Sequence, residues 1–239
     1  MMLASMVSSV LGRFTSSTPP EYVVVDRCRS ISGLKNSVVL GALTPSGSSF
    51  LYFSGDTIHV KKRNPLKTSK VDTLDFSMGD WTCMCVGMSE THVFVPLLHG
   101  YILMFNLTLR SLVSQKFSFS VRKISVVGRR LLTISSFSQL QLWELSSDSQ
   151  MLTLLNSQIV ELETEVTALA LSPSDSMKGL VASGNIAFFM DFKLNRTIFT
   201  LTGHTDSIRA CAIQGYQAIT GSFDMTARVR GEKTTIKCM

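Results

Sequence analysis

Residues 199–230 read FTLTGHTDSIRACAIQGYQAITGSFDMTARVR, and the spacing of short apolar runs within them decides the fold. The run Thr197–Leu201 closes on Thr202-Gly203-His204, and Ile208–Ile213 follows after a polar loop. Ala218–Gly221 leads into the turn Ser222-Phe223-Asp224, and Thr226–Arg230 comes out of it. These are four short strands punctuated by turn residues, with no stripe at the helical period.

The same grammar extends toward the N-terminus. Strands are predicted at Val23–Val25, Ser37–Leu43, Phe50–Phe53, Thr57–Lys61 and Val71–Phe76, then at Trp81–Val86, His92–Leu97, Tyr101–Phe105 and Leu112–Phe117. Lys123–Val127, Leu131–Ser135, Gln139–Leu145, Met151–Leu155, Val166–Leu171, Leu180–Ser183 and Ile186–Phe192 complete the set. Ser157–Glu165 has room for one helical turn at most, so the chain reads as all-β. The strands fall into groups of four, whose third members end near Lys61, Phe105, Trp143, Met190 and Arg230. The intervals are 44, 38, 47 and 40 residues, close to the roughly 40–45 of a propeller blade. A β-sandwich has many short strands too, but no reason to keep that period.

Residues 199–230 resemble a WD-repeat unit. Leu201-Thr202-Gly203-His204 matches the family's outer strand and Gly-His pair, and Ala218–Asp224 matches its small-residue strand and Asp turn. The resemblance implies a buried hydrogen-bonded network, with His204, Ser222 and Asp224 in three of its four positions. Arg230-Gly231 stands where the family has Trp-Asp. Gln139–Glu144 keeps the closing Trp as Trp143, Ile186–Asp191 ends in Met190-Asp191, Tyr101–Asn106 in Phe105-Asn106, and the first unit in Lys61-Lys62. Together these units span roughly residues 22–230.

The implied fold is a WD-repeat-type β-propeller of about five blades. In such propellers each sequence unit supplies one blade's outer strand and the next blade's inner three. A closed ring therefore needs Glu21–Asp26 to pair outside Thr226–Arg230; the alternative is a truncated arc of a longer propeller, with exposed edges that need a cover. The expected organisation is a disordered lead over residues 1–20, the propeller over 21–230 and a polar tail over 231–239.

Composition narrows the function classes. The 239 residues are 45% hydrophobic and 17% charged, with a net charge of +6, a pI near 9.2 and a mean hydropathy of +0.24. That suits a packed domain and argues against a disordered tail. Cys28, Cys83, Cys85, Cys211 and Cys238 lack the rhythm of a disulfide scaffold, which points to a reduced, intracellular chain, cytoplasmic or nuclear. Met1–Leu11 is interrupted by serines and carries no basic residue, unlike a secretory leader. The sequons at Asn106 and Asn195 read as chance, and no apolar run approaches the roughly 18 residues of a membrane span.

No nucleophile elbow, P-loop or dinucleotide fingerprint is present. Cys83 and Cys85 share a strand face, but His92 and His99 follow at spacings too loose for a zinc site. Glu161, Glu163 and Glu165 read as an exposed face rather than an acid–base pair. The expectation is a protein without catalysis, cofactor or metal. Basic residues gather at Lys61–Arg63, Arg122-Lys123, Arg129-Arg130 and Arg228–Lys233, without the aromatic interleaving of a nucleic-acid surface.

The resemblance places the candidate binding site on the propeller's top face, where the residue before the Asp turn projects. Those positions are His99, Phe137 and Phe223, with Asp206 adding a charged rim. The reading is an interaction scaffold that binds a peptide or domain within a larger complex. Its alternatives are an RNA-associated subunit of a ribonucleoprotein assembly, which the charge suggests, and a substrate receptor of a ubiquitin ligase, which the family includes.

Overall fold

In the computed structural model the described residues are 41–43, 49–54, 57–62, 72–77, 85–231 apart from 110, 136–137, 149, 160–161 and 163, and 234–238. They carry twenty strands and no helix. The first sheet holds β1 (Gly41–Leu43), β2 (Ser49–Ser54), β3 (Thr57–Lys62) and β4 (Asp72–Ser77). The second holds β5 (Gly87–Met88), β6 (His92–Pro96), β7 (Tyr101–Asn106) and β8 (Ser111–Lys116). The third holds β9 (Val121–Val127), β10 (Arg130–Ser135), β11 (Gln139–Leu145) and β12 (Leu152–Ile159). β13 (Val166–Leu171), β14 (Lys178–Ser183), β15 (Ile186–Asp191) and β16 (Arg196–Leu201) form the fourth. β17 (Ile208–Gln214), β18 (Gln217–Ser222), β19 (Ala227–Gly231) and β20 (Thr234–Cys238) form the fifth.

Each sheet is an antiparallel meander of consecutive strands. Their first strands pack in succession, β1 on β5, β5 on β9, β9 on β13 and β13 on β17. The result is a β-propeller architecture, with the first strand of each sheet innermost. Lys61, Phe105, Trp143, Met190 and Arg230 all lie on third strands, so the period read from the sequence is the blade repeat.

Side-chain alternation explains why the middle strands carry apolar residues on both faces. Successive residues point to opposite sheet faces, and a sheet between two others buries both. Val93 and Val95 pack toward Leu51 of the first sheet, while Phe94 between them packs with Leu131 and Trp143 of the third. Leu132 and Ile134 turn the other way, onto Val181, Met190 and Phe192 of the fourth sheet. Leu180, Ala182 and Phe189 meet Ile208, Ile213 and Ala218 of the fifth. Burying each large side chain contributes roughly 1.5–3 kcal/mol, so the blade-to-blade layers are the main source of stability. Gly87 is required by this packing, because a Cβ there would run into Val126 and Ile124 of β9.

Two expectations are corrected. The polar tail expected after Arg230 contains β20, which pairs along the outer edge of β19 with Ile236 opposite Val229 and Lys237 opposite Arg228. The place reserved for Glu21–Asp26, itself outside the described residues, is thus filled by Thr234–Cys238. The five-residue run TTIKC has the β-branched content of a strand; the polar Gly231–Lys233 before it disguised it as a tail. The strand expected at Trp81–Val86 is found immediately after it, as Gly87–Met88; Cys85 and Val86 are not in a strand, and 81–84 lie outside the described residues. Among the described residues, no packing like that of β13 on β17 joins β17 to β1.

Candidate functional site

The turns joining second to third strands lie at the same end as the loops leading from each outer strand to the next sheet. Backbone bonds tie them together: Phe117 N–H donates to Gly100 C=O at 2.6 Å, and Phe223 N–H to Ser207 C=O at 3.0 Å. This end is the top face.

On the fifth sheet the top turn is held by a polar network. His204 Nδ1 lies 2.7 Å from Asp224 Oδ2, and Nε2 lies 2.9 Å from Thr220 Oγ1. In the neutral ring the carboxylate fixes the proton on Nδ1, so Nε2 accepts from the Thr220 hydroxyl. Asp224 also accepts from the backbone of Thr205 at 3.1 Å, the backbone of Thr226 at 2.9 Å and the Thr226 hydroxyl at 2.7 Å. Burial pushes the Asp224 carboxyl up, but the bonds from Thr226, His204 and the Thr205 backbone outweigh it and hold the group well below the usual carboxylate range. Asn185 donates to His204 C=O at 3.0 Å, tying the loop to the fourth sheet.

Ser222 does not join His204. Its hydroxyl donates to Asp206 C=O at 2.7 Å and accepts from Asp224 N–H at 3.1 Å, so it braces the turn from the backbone. The imidazole's hydroxyl partner is Thr220, two residues earlier on the same strand face. Arg230 does not join the network either; it donates to Thr202 C=O.

Trp143 occupies the corresponding third-strand position of the third sheet, where its indole donates to Thr133 Oγ1 at 3.0 Å. Thr133 and Thr220 hold the same place in their sheets, diagonal to Trp143 and Arg230. The third sheet therefore has the Trp–Thr half of the expected network and the fifth has the Thr–His–Asp half. In the second and fourth sheets the same positions carry Val95 with Phe105 and Val181 with Met190, both packed into apolar layers. Phe117, in the loop leading into β9, meets Trp143 edge-on with ring centroids 4.9 Å apart.

Above the fifth sheet's network the turn presents apolar surface. Phe223 is 57% exposed and Met225 is 92% exposed. Met225 has a φ of 63°, an uncommon backbone conformation for so large a side chain. The Arg209 guanidinium lies 4.2 Å from the Phe223 ring centroid. Arg209 is the extra residue of a bulge between Ile208 and Ala210, which lifts it onto the turn. Asp206, exposed, sits beside Phe223 in the loop before β17.

His99 belongs to a different part of the face. It is exposed beside an open hollow of about 230 Å³, lined by Leu98, Phe117, Phe119 and Ser118 among others. That hollow spans the second and third sheets, while Phe223 and Asp206 sit on the fifth. Phe137 lies outside the described residues. Sequence reasoning missed Arg209, Thr220 and Met225; only Thr220 left a signal, the alternation that puts it on the same face as Ser222.

No protein-family model matches the sequence, and no curated protein matches it. Among solved structures, the chain is similar to the β-propeller domain of Cps50 (Swd1) from Myceliophteria thermophila, with a TM-score of 0.65 at 10% identity. The match covers 82% of this chain and 71% of that one. At that identity the likeness shows the propeller fold alone.

Proposed function

We propose that this chain is a non-catalytic interaction scaffold, whose top face binds a protein segment within a larger assembly. The observation that carries the reading is the Phe223 turn: an exposed aromatic, capped by Arg209 and flanked by Met225, on a turn braced by the hydrogen bonds of Asp224, His204 and Ser222. Aromatic and Arg side chains are the usual anchors of interfaces, and a turn already held rigid loses little entropy on binding. Asp206 supplies a charged rim, and the His99 hollow, with Phe137 between the two in sequence, would extend the contact across the face. Supporting the scaffold class is the likeness to a propeller domain, a fold that presents loops from a rigid frame.

The test compares the intact chain with Phe223→Ala, and with Leu109→Ala at the opposite end, by quantitative affinity capture of one defined partner followed by measurement of its affinity. Leu109 is 71% exposed and serves as the control. Truncating an anchor costs about 2 kcal/mol, roughly a thirtyfold loss of affinity, so Phe223→Ala should weaken the complex by that factor while Leu109→Ala leaves it intact. Equal affinities for Phe223→Ala and the intact chain would remove the top face from the reading. Affinity that falls steeply with salt and follows RNA would favour the ribonucleoprotein alternative.

A further inference from the structure

Arg228 and Arg230 stand two apart on β19, and both reach across to the loop that leaves the fourth sheet. Nη1 of Arg228 and Nη2 of Arg230 come within 2.5 and 3.0 Å of the point a Gly203 Cβ would occupy. Gly203, at a φ of 112°, leaves that space to them. Arg230 donates to Thr202 C=O. Arg228 Nε is buried and has no hydrogen-bond partner. Neither guanidinium forms an ion pair among the described residues. The carboxylate on the adjoining turn, Asp224, is engaged by His204, Thr205 and Thr226. Lys237 is registered directly opposite Arg228 on β20, so a third basic residue occupies the same sheet position.

Two physical problems therefore coincide. Like charges on adjacent positions repel, and a buried N–H donor without an acceptor costs free energy. A single oxyanion bridging the two guanidinia answers the first. Carboxylate brings one negative charge and a planar pair of acceptors; a phosphate monoester brings close to two charges and three acceptor oxygens in a tetrahedral array, which suits two separate guanidinium groups.

We propose that the Arg228–Arg230 pair beside Gly203 is a binding site for a phosphate group. It lies on the flank between the fourth and fifth sheets, apart from the Phe223 side chain, and does not depend on the top-face reading.

The experiment titrates the full chain with inorganic phosphate and, separately, with N-acetyl-phosphoserine amide by isothermal calorimetry, against sodium chloride at matched ionic strength. Saturable binding is expected, weakened at least tenfold by Arg228→Gln and by Arg230→Gln, with Leu109→Ala, at the opposite end of the sheets, as a variant that leaves it unchanged. Tighter binding of the phosphoserine amide than of inorganic phosphate identifies a phosphorylated side chain as the source; the reverse order identifies a free oxyanion. A rise in Tm that saturates with phosphate concentration and is lost in Arg228→Gln gives a second readout, since a site-bound ligand of the folded state raises its stability whereas the general salting effect of phosphate does not saturate and is kept by the variant. The proposal is overturned if phosphate does no more than chloride, or if both Arg variants bind as the intact chain does. It is also overturned if binding emerges only in Glu232→Gln, because that carboxylate would then be the pair's own counter-ion.

Discussion

A buried imidazole between a carboxylate and a hydroxyl holds its turn only while each group keeps its partner. In the fifth sheet those groups are Asp224, His204 and Thr220, and the Asp224 carboxylate is the centre, accepting from two backbone N–H groups as well as from side chains. Its folded pKa is depressed below the roughly 3.9 of an unfolded aspartate. Between those two values the unfolded chain binds the proton and the folded chain does not, so acid favours unfolding. The contribution of Asp224 is therefore complete above about pH 4 and drains away as pH falls through the folded pKa. Urea midpoints measured from pH 5 to pH 2 should fall less steeply in Asp224→Asn than in the intact chain, by up to one proton's worth of slope, and the variant should already be less stable at pH 7. Parallel pH profiles would show that the carboxylate is not the group the turn depends on. Reading this network from sequence alone works for His204 and Asp224, because Gly-His and the Ser-Phe-Asp turn are local signals. It fails for the hydroxyl, since Ser222 and Thr220 share a strand face and only the depth of the imidazole selects between them.

At the scale of the strand, β12 is exceptional. Its eight residues, LTLLNSQI, carry no charge, whereas the outer strands β8, β16 and β20 each include a Lys or Arg and β4 has two Asp. As the outer member of the third sheet it has one unpaired edge, and Leu154, Leu155 and Ile159 are 49%, 41% and 73% exposed. Uncharged apolar edges template further strand pairing, and a Lys on such an edge blocks it. The bulge at Leu155, between the pairs Leu142–Asn156 and Trp143–Leu154, twists this edge but does not charge it. Ile159→Lys should leave the urea midpoint equivalent to within about 0.5 kcal/mol while raising the temperature at which light scattering begins. Unchanged scattering would place the aggregation-prone surface elsewhere. The length of β12 also shows what patterning can and cannot locate. Strands buried on both faces, such as His92–Pro96 and Tyr101–Asn106, announce themselves as nearly continuous apolar runs. β12 runs on to Ile159 through Asn156-Ser157-Gln158, polar residues that make it read as a loop; they are held in the strand because β11 pairs opposite them and Asn156 donates to Phe192 C=O at 2.6 Å. β20 was hidden in the same way. Outer strands owe their form to a neighbour rather than to their own hydrophobicity, so they are the elements a linear reading loses.

At the scale of the whole molecule the sheets are stacked side by side like the units of a repeat protein, where stability sums over nearest-neighbour layers. The third and fourth sheets each have apolar layers on both faces, shared with the second and fourth and with the third and fifth respectively. The fifth has the fourth on one face; on its other face the described apolar residues are Ile219, Ala212 and Val229, a far smaller group. Its polar network braces the top turn but adds no second layer. Local opening should follow this layering, since segments with fewer buried apolar contacts open at lower free energy. Native-state hydrogen exchange should find the slowest amides in β10, β11, β14 and β15, with those of β18 and β19 exchanging sooner although their strand pairing is equally regular. Because one apolar layer of several large side chains contributes several times the roughly 1.5–3 kcal/mol of each, the two classes should be separated by well over tenfold in protection. If β18 and β19 prove as protected as β14 and β15, the outer face of the fifth sheet is covered, as a ring closed against the first sheet would cover it. The comparison thus distinguishes an arc with a free end from a closed propeller without needing to know what the top face binds.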